Sequence, residues 1–352
     1  MYHASLYNRL ENKRAQCRVC LRRCTIPMGS VGWCKTRLNK GGKLFSLTYG
    51  RVSSIMVSPI EQKPIFHFLP ASRWLSVGSV GCNFKCPGCQ NWEIAHAVPD
   101  IKGSYCVEGN GRRQEAEYLA PEVLIEISHR ERTDGISFTY NEPTLWVEYA
   151  ERVMSLAKEA GLFTNWVTNG YLTSDALDYV GQRLDTFRVD IKGFSEKTYK
   201  KIAGIVDFRE ILEVVKRARH RWGMHVEVVT NVIPTVNDDR QELRNLAHWI
   251  VTEIGADTPW HITRFVPHFK WDNLAATPIE TLEEVYRTAK EEGLLYPYLG
   301  NVFGHPFENT YCPSCGELLI DRTGMDAVRL RLAGSSCPRC GAKIAGRFER
   351  KK

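Results

Sequence analysis

Between residues 75 and 267 the chain alternates short β-rich runs with segments of helical periodicity, and this alternation restricts the fold more than any other feature. The runs "LSVGSVG", "GISFTYNEP", "LFTNWVTNG", "TFRVDIKG", "HVEVVTNVIP" and "PWHITRFVP" are rich in β-branched and aromatic residues. Between them, "PEVLIEISHRER", "LWVEYAERVMSLAKEAG" and "REILEVVKRARHRWG" carry apolar residues at helical spacing, the last with Gly223 as a C-terminal stop. Strands separated by helices predict repeated βα units and a parallel sheet. Right-handed crossovers then wrap that α/β architecture into a partial or full (β/α) TIM-like barrel.

The β-rich runs share a second property, because unusual polar residues gather where they end: Asn141 and Glu142, Thr168 and Asn169, Asp190 and Lys192. The C-terminal rim of a parallel barrel is where ligands bind. Asn-Gly and Glu-Pro also serve as plain turn residues. Three such ends in succession, after a cysteine motif, favour a site.

The twelve cysteines sort into Cys17, Cys20, Cys24 and Cys34; Cys82, Cys86 and Cys89; Cys106 alone; and Cys312, Cys315, Cys337 and Cys340. Tight clusters in a cytoplasmic chain favour metal binding over disulfides. A cytoplasmic location is expected because "MYHASLYNRLENKRAQC" lacks the apolar stretch of a secretory signal. No run of about 18 apolar residues is present either, so no membrane span is expected. The 352 residues permit a large domain with appendages. The expected division is a Cys-rich N-terminal module over 1–50, a barrel over 51–305 and a zinc-ribbon-like module over 306–352. Residues 100–118 are polar and glycine-containing and read as a loop or lid, with Cys106 a spectator thiol. The net charge of +7 permits a polyanionic partner, but solvated lysine and arginine faces account for it as well.

"CPSCG" and "CPRCG" form two knuckles that favour tetrahedral coordination by Cys312, Cys315, Cys337 and Cys340, with zinc ahead of rubredoxin-like iron. Cys17-x2-Cys20-x3-Cys24, with Cys34, is a less regular second metal site, for zinc first, then an auxiliary Fe–S cluster, with free thiols last. In "GCNFKCPGCQNW", Cys82, Cys86 and Cys89 suit a soft metal centre with one position open. A [4Fe–4S] cluster usually takes four cysteines, and a catalytic zinc also keeps an open position. Spacing alone leaves both.

Cys82-x3-Cys86-x2-Cys89 follows "SPIEQKPIFHFLP" and precedes, in order, "FTYNEPT", "VTNGY", "VDIKGF", "NVIPTVND", "PWHITRFVP" and "YLGN". This series resembles the radical S-adenosylmethionine (SAM) superfamily. Within it, the chain is similar to the AmmeMemoRadiSam-system radical SAM enzymes, relatives of the pyruvate formate-lyase activating enzymes. The resemblance spans about residue 17 to residue 346. It implies a [4Fe–4S] cluster on three cysteines with SAM as its fourth ligand. Reductive cleavage of SAM would then give a 5′-deoxyadenosyl radical that abstracts hydrogen from an unidentified substrate, with a protein (glycyl-radical activation), an RNA, a peptide and a small metabolite all open. The resemblance also places Asn141 and Glu142 at the SAM ammonium, and Thr168 and Asn169 against SAM. Asp190 and Lys192 belong near its carboxylate and ribose, and His261 near the ribose. An electron donor such as flavodoxin or ferredoxin is implied too.

Lys63, His67 and Glu61 are further candidates without a derived role. Gly88 stands where many members carry an aromatic residue against adenine, so that contact is expected from the backbone, Phe84 or Trp92. Val167 stands where activating enzymes tend to have an aspartate. The competing reading is a metal-dependent nucleic-acid- or protein-binding module on a degenerate barrel, with the knuckles and the basic tail "RFERKK" engaging the partner.

Overall fold

All six β-rich runs enter one eight-stranded sheet in the computed structural model, which describes residues 1–107, 113–324 and 326–350. Its strands are β1 (Ser54–Pro59), β2 (Arg73–Gly78), β3 (Gly135–Phe138), β4 (Phe163–Thr168), β5 (Thr186–Asp190), β6 (His225–Val232), β7 (Trp260–Arg264) and β8 (Pro297–Gly300). They lie in sequence order. β2 to β8 are parallel, and β1 pairs antiparallel with β2.

Helices fill the crossovers: α1 (Pro121–Arg130), α2 (Val147–Glu159), α3 (Ser174–Val180), α4 (Glu196–Ala203), α5 (Arg209–Lys216), α6 (Arg240–Trp249) and α7 (Ile279–Glu291). Thr173, Ser195 and Asp239 start α3, α4 and α6, each side chain accepting a backbone N–H three residues on. Beyond α5 the helix widens over Arg217–Arg221 and stops at Gly223, whose φ of +62° suits the left-handed exit.

β1 and β8 do not pair with each other among the described residues, so the barrel is partial. It is nonetheless curved. Seven flat strands would span about 29 Å at the usual strand spacing, yet a single cavity draws lining residues from the C-terminal end of every parallel strand or the loop after it.

The two flanks differ in how they attach. The N-terminal segment is part of the main core: Cys17, Val19, Cys20, Ile26 and Leu44 pack in one apolar cluster with Trp166 and Leu172. Buried Arg37 reaches Glu148 of α2 at 2.6 Å, and Thr173 Oγ1 donates to the Arg18 carbonyl at 2.6 Å. The C-terminal module is a three-stranded antiparallel sheet with its own small core of Leu319, Ile320 and Ile344, against Phe66, Tyr296 and Tyr298. It meets both free sides of the barrel. Tyr298 lies in β8, while Leu69 N donates to Arg347 O at 2.6 Å and Arg347 N to His67 O at 2.7 Å, just after β1.

The expected loop at 100–118 instead contains paired strands, Ser104–Cys106 with Val98–Pro99 and with Arg113–Glu115; residues 108–112 lie outside the described residues. Cys106 is exposed there. Among the described residues, no helix is long and apolar enough to cross a membrane.

Candidate functional site at the barrel mouth

A cavity of about 500 Å³ opens at the C-terminal ends of the parallel strands. Cys82, Cys86 and Cys89 enter it from the loop after β2. Asn141 and Glu142 come from the end of β3, Thr168 and Asn169 from β4, Asp190 and Lys192 from β5, and His261 from β7. Lys63 and Glu61 line it too. His67 does not. Its Nδ1 donates to Ala345 O and its Nε2 accepts from Tyr298 Oη, both at 2.6 Å, so it pins the C-terminal module to β8. Burial pushes its pKa down to about 4.

The cysteine loop is held from its neighbours. Phe84 N donates to Cys82 Sγ at 3.3 Å, and Asn141 bridges Ser79 N and Gly81 O at 3.0 and 2.9 Å. Burial pushes the Cys86 thiol up to about 11, with Lys192 opposing. Such thiols ionise when a metal binds. Gly88 has a steric reason: a Cβ there would lie 2.7 Å from Trp271 Cε3 and 3.1 Å from Phe265 Cε2. An aromatic surface therefore does flank the third cysteine, supplied from the loop after β7. Of the two rings considered from the sequence, Phe84 lines the cavity, whereas Trp92 stacks on Phe269 at 4.7 Å and is not among the lining residues.

Among the carboxylates that line the cavity, Glu142 is held by several donors. It accepts from Thr144 N (3.0 Å), Thr168 Oγ1 (2.7 Å) and Asn169 N (2.8 Å). Burial raises its pKa against these bonds. Thr168 and Asn169 thus aim the carboxylate. Tyr140, just before, takes a left-handed φ of +73° and is tied by Asn91 Nδ2 to its carbonyl at 2.9 Å. A bulky residue held in that region stores strain, which collects at functional sites.

On β5, Arg188 and Lys192 flank Asp190 at 2.7 and 3.4 Å. Burial alone would raise the Asp190 carboxyl, but those two charges hold it below the usual range. Lys63 is buried 5.0 Å from the Tyr140 ring, and no carboxylate pairs with it among the described residues. Burial, then the Arg188 charge, push it down to about 8. His261 Nε2 donates to Glu227 at 2.6 Å, and Glu227 also accepts from Phe66 N, His67 N and His225. Burial opposes ionisation of Glu227, yet the two histidines hold it far below the carboxylate range; burial lowers His261. This His261–Glu227 pair lies beside Phe66, whose ring meets His261 edge-on.

Sequence reasoning missed Arg188, Glu227, Trp271 and Glu308, the last lifted to about 7 by burial. Arg188 had a signal, since it shares a strand face with Asp190. Glu227, a charge in the middle of a buried strand, had one too. Trp271 and Glu308 are brought in only by tertiary packing.

The C-terminal cysteines stand in a different geometry. All four sulfurs lie within 4.8 Å of one another, with Cys312–Cys340 at 3.6 Å and Cys315–Cys337 at 3.7 Å. A tetrahedral ion with metal–sulfur bonds of about 2.3 Å separates its thiolates by ~3.8 Å, so this set fits one four-coordinate metal.

Comparison with known proteins agrees with the site. The chain is 38% identical to "Uncharacterized protein MJ0808" of Methanocaldococcus jannaschii over 348 residues, covering 98% of this chain and 99% of that one. It is 27% identical over 177 residues to the pyruvate formate-lyase-activating enzyme of Clostridium pasteurianum, covering 48% of this chain and 66% of that one. It is 25% identical over 177 residues to a GTP 3′,8-cyclase of Haemophilus influenzae, covering 48% and 47%. The family model described as "Radical SAM superfamily" matches residues 76–247. That match begins in β2 and ends in α6, so it takes in the cysteine loop and the ends of β3 to β6 at the cavity: the chain belongs to the radical SAM superfamily of enzymes.

Proposed function

We propose that the protein binds SAM beside a [4Fe–4S] cluster held by Cys82, Cys86 and Cys89, and that the resulting 5′-deoxyadenosyl radical abstracts hydrogen from a substrate. The observation that carries this reading is the single cavity joining three free thiols to Glu142, Thr168, Asn169, Asp190 and Lys192. The donor set fits. Three thiols without a fourth leave one iron open, and the three do not close to the spacing of a single tetrahedral ion. When bound, the cluster supplies the electron that cleaves SAM.

The chain's own residues orient the cosubstrate. Glu142, aimed by Thr168 and Asn169, presents a carboxylate to the SAM ammonium, a charge-assisted contact. Lys192 offers its charge to the SAM carboxylate, and Asp190 accepts from the ribose hydroxyls. Trp271 flanks adenine in place of an aromatic at Gly88. Lys63 and Arg188 remain as a cationic surface for an acidic group of the substrate. Likeness to an activating enzyme supports a protein substrate with an abstractable glycine hydrogen. The C-terminal cysteines hold zinc.

The test is anaerobic reconstitution with iron and sulfide, followed by dithionite and SAM. Wild type should release 5′-deoxyadenosine and Cys82→Ala none. A fully loaded wild type that yields no more than Cys82→Ala would overturn the proposal.

A further inference from the structure

Cys17, Cys20, Cys24 and Cys34 line a partly open pocket together with Arg22, Trp33, Arg37, Asn83 and Leu145. All four are free thiols and three are buried. Their spacing separates them from the C-terminal set. Among the described residues, the C-terminal four are the only group with three or more ligand atoms within 4.8 Å of one another. The N-terminal sulfurs therefore stand wider than one tetrahedral ion would hold them. The Cys82, Cys86 and Cys89 trio is spread in the same way. Wide spacing is what a cluster requires, since each thiolate sits on a different metal atom.

Two cations border the same pocket. Arg22 donates through Nε to Asn83 O at 3.0 Å and lies 4.3 Å over the Trp33 ring; Arg37 is paired with Glu148. Each leaves one buried N–H without a partner, Arg22 Nη2 and Arg37 Nε. An orphaned buried donor is destabilising. Bridging sulfides would accept from such donors, and a cluster on four thiolates is anionic enough to favour two guanidinium groups.

We infer that Cys17, Cys20, Cys24 and Cys34 hold a second [4Fe–4S] cluster, in contact with the loop that carries the first cysteine motif. Asn83 belongs to both places. It lines the N-terminal pocket, follows Cys82 in the chain, and accepts at 2.8 Å from Asn169 Nδ2, which is itself 3.8 Å from Cys82 Sγ. A second redox centre thus stands one residue from the first.

The test uses the full-length protein reconstituted anaerobically with isotopically enriched iron. Wild type should bind about eight irons and eight sulfides per chain, with one zinc. The Cys82→Ala/Cys86→Ala/Cys89→Ala variant, whose N-terminal pocket is native, should keep about four irons with the Mössbauer signature of [4Fe–4S]2+. Cys17→Ala/Cys20→Ala should lose half of the iron. A triple variant that holds no cluster iron, whether it binds a second zinc or shows four titratable N-terminal thiols, overturns the inference even if the double variant fails to fold. Because iron content is read without SAM turnover, failure of the radical reading would not be mistaken for failure of this one.

Discussion

Gly88 and Trp271 divide one task between two distant places in the chain. The aromatic surface beside the third cysteine is usually written into the motif; here the motif residue has no side chain and the ring comes from the loop after β7. A substitution can separate the two. Trp271→Ala should weaken SAM about fivefold, the equivalent of the ~1 kcal/mol expected of an aromatic stack. Its rate of SAM cleavage at saturation should change little. Equilibrium binding of SAM to the anaerobic, reconstituted protein measures the first effect and saturation kinetics the second. Unchanged SAM affinity in Trp271→Ala would remove Trp271 from the adenine site. The motif alone could not disclose this arrangement, because Gly88 shows only that a ring is missing locally.

At the scale of elements, the segment after β1 is fastened by His67, and its protonation gives that fastening a pH dependence. The folded His67 takes up a proton only near pH 4, whereas an unfolded histidine does so near 6.5. The unfolded state therefore binds more protons between those values, so stability is full above about pH 6.5 and declines as pH falls toward 4. Thermal midpoints of wild type and His67→Gln should converge on acidification through this window. A constant difference would show that His67 takes up its proton at the same pH in the folded and unfolded states.

The six β-rich runs were legible because both faces are buried, giving apolar stretches bounded by turns. β1 was not: it is an antiparallel edge strand with exposed Ile55 and Met56. β8 was not because it has only four residues and begins at Pro297. The strand-end residues were legible since sheet geometry sends them all to one rim. The Glu227–His261 pair was not, because its partners lie on different strands and the segment at Phe66 is far away in sequence.

For the molecule as a whole, the C-terminal module spans the interval between β1 and β8. It also contributes Gly324 to the cavity wall, next to Phe303. Its own apolar core is small, so bound metal should supply much of its folding free energy, on the order of 10 kcal/mol for a structural zinc. A zinc-selective chelator applied anaerobically should make residues 310–350 susceptible to protease while cluster iron is retained. SAM affinity should fall with it, because the cavity loses that wall. Resistance to proteolysis after complete metal removal would contradict this coupling. The opposite end of the chain carries a consequence for biosynthesis. Cys20 bridges to Leu172, and Arg37 pairs with Glu148, so these cysteines have no finished surroundings on the ribosome until the third parallel strand has followed. Four thiols stay unsheltered until Leu172 has been added, and shortened chains ending before Leu172 should be collected by proteases or oxidised rather than loaded with metal.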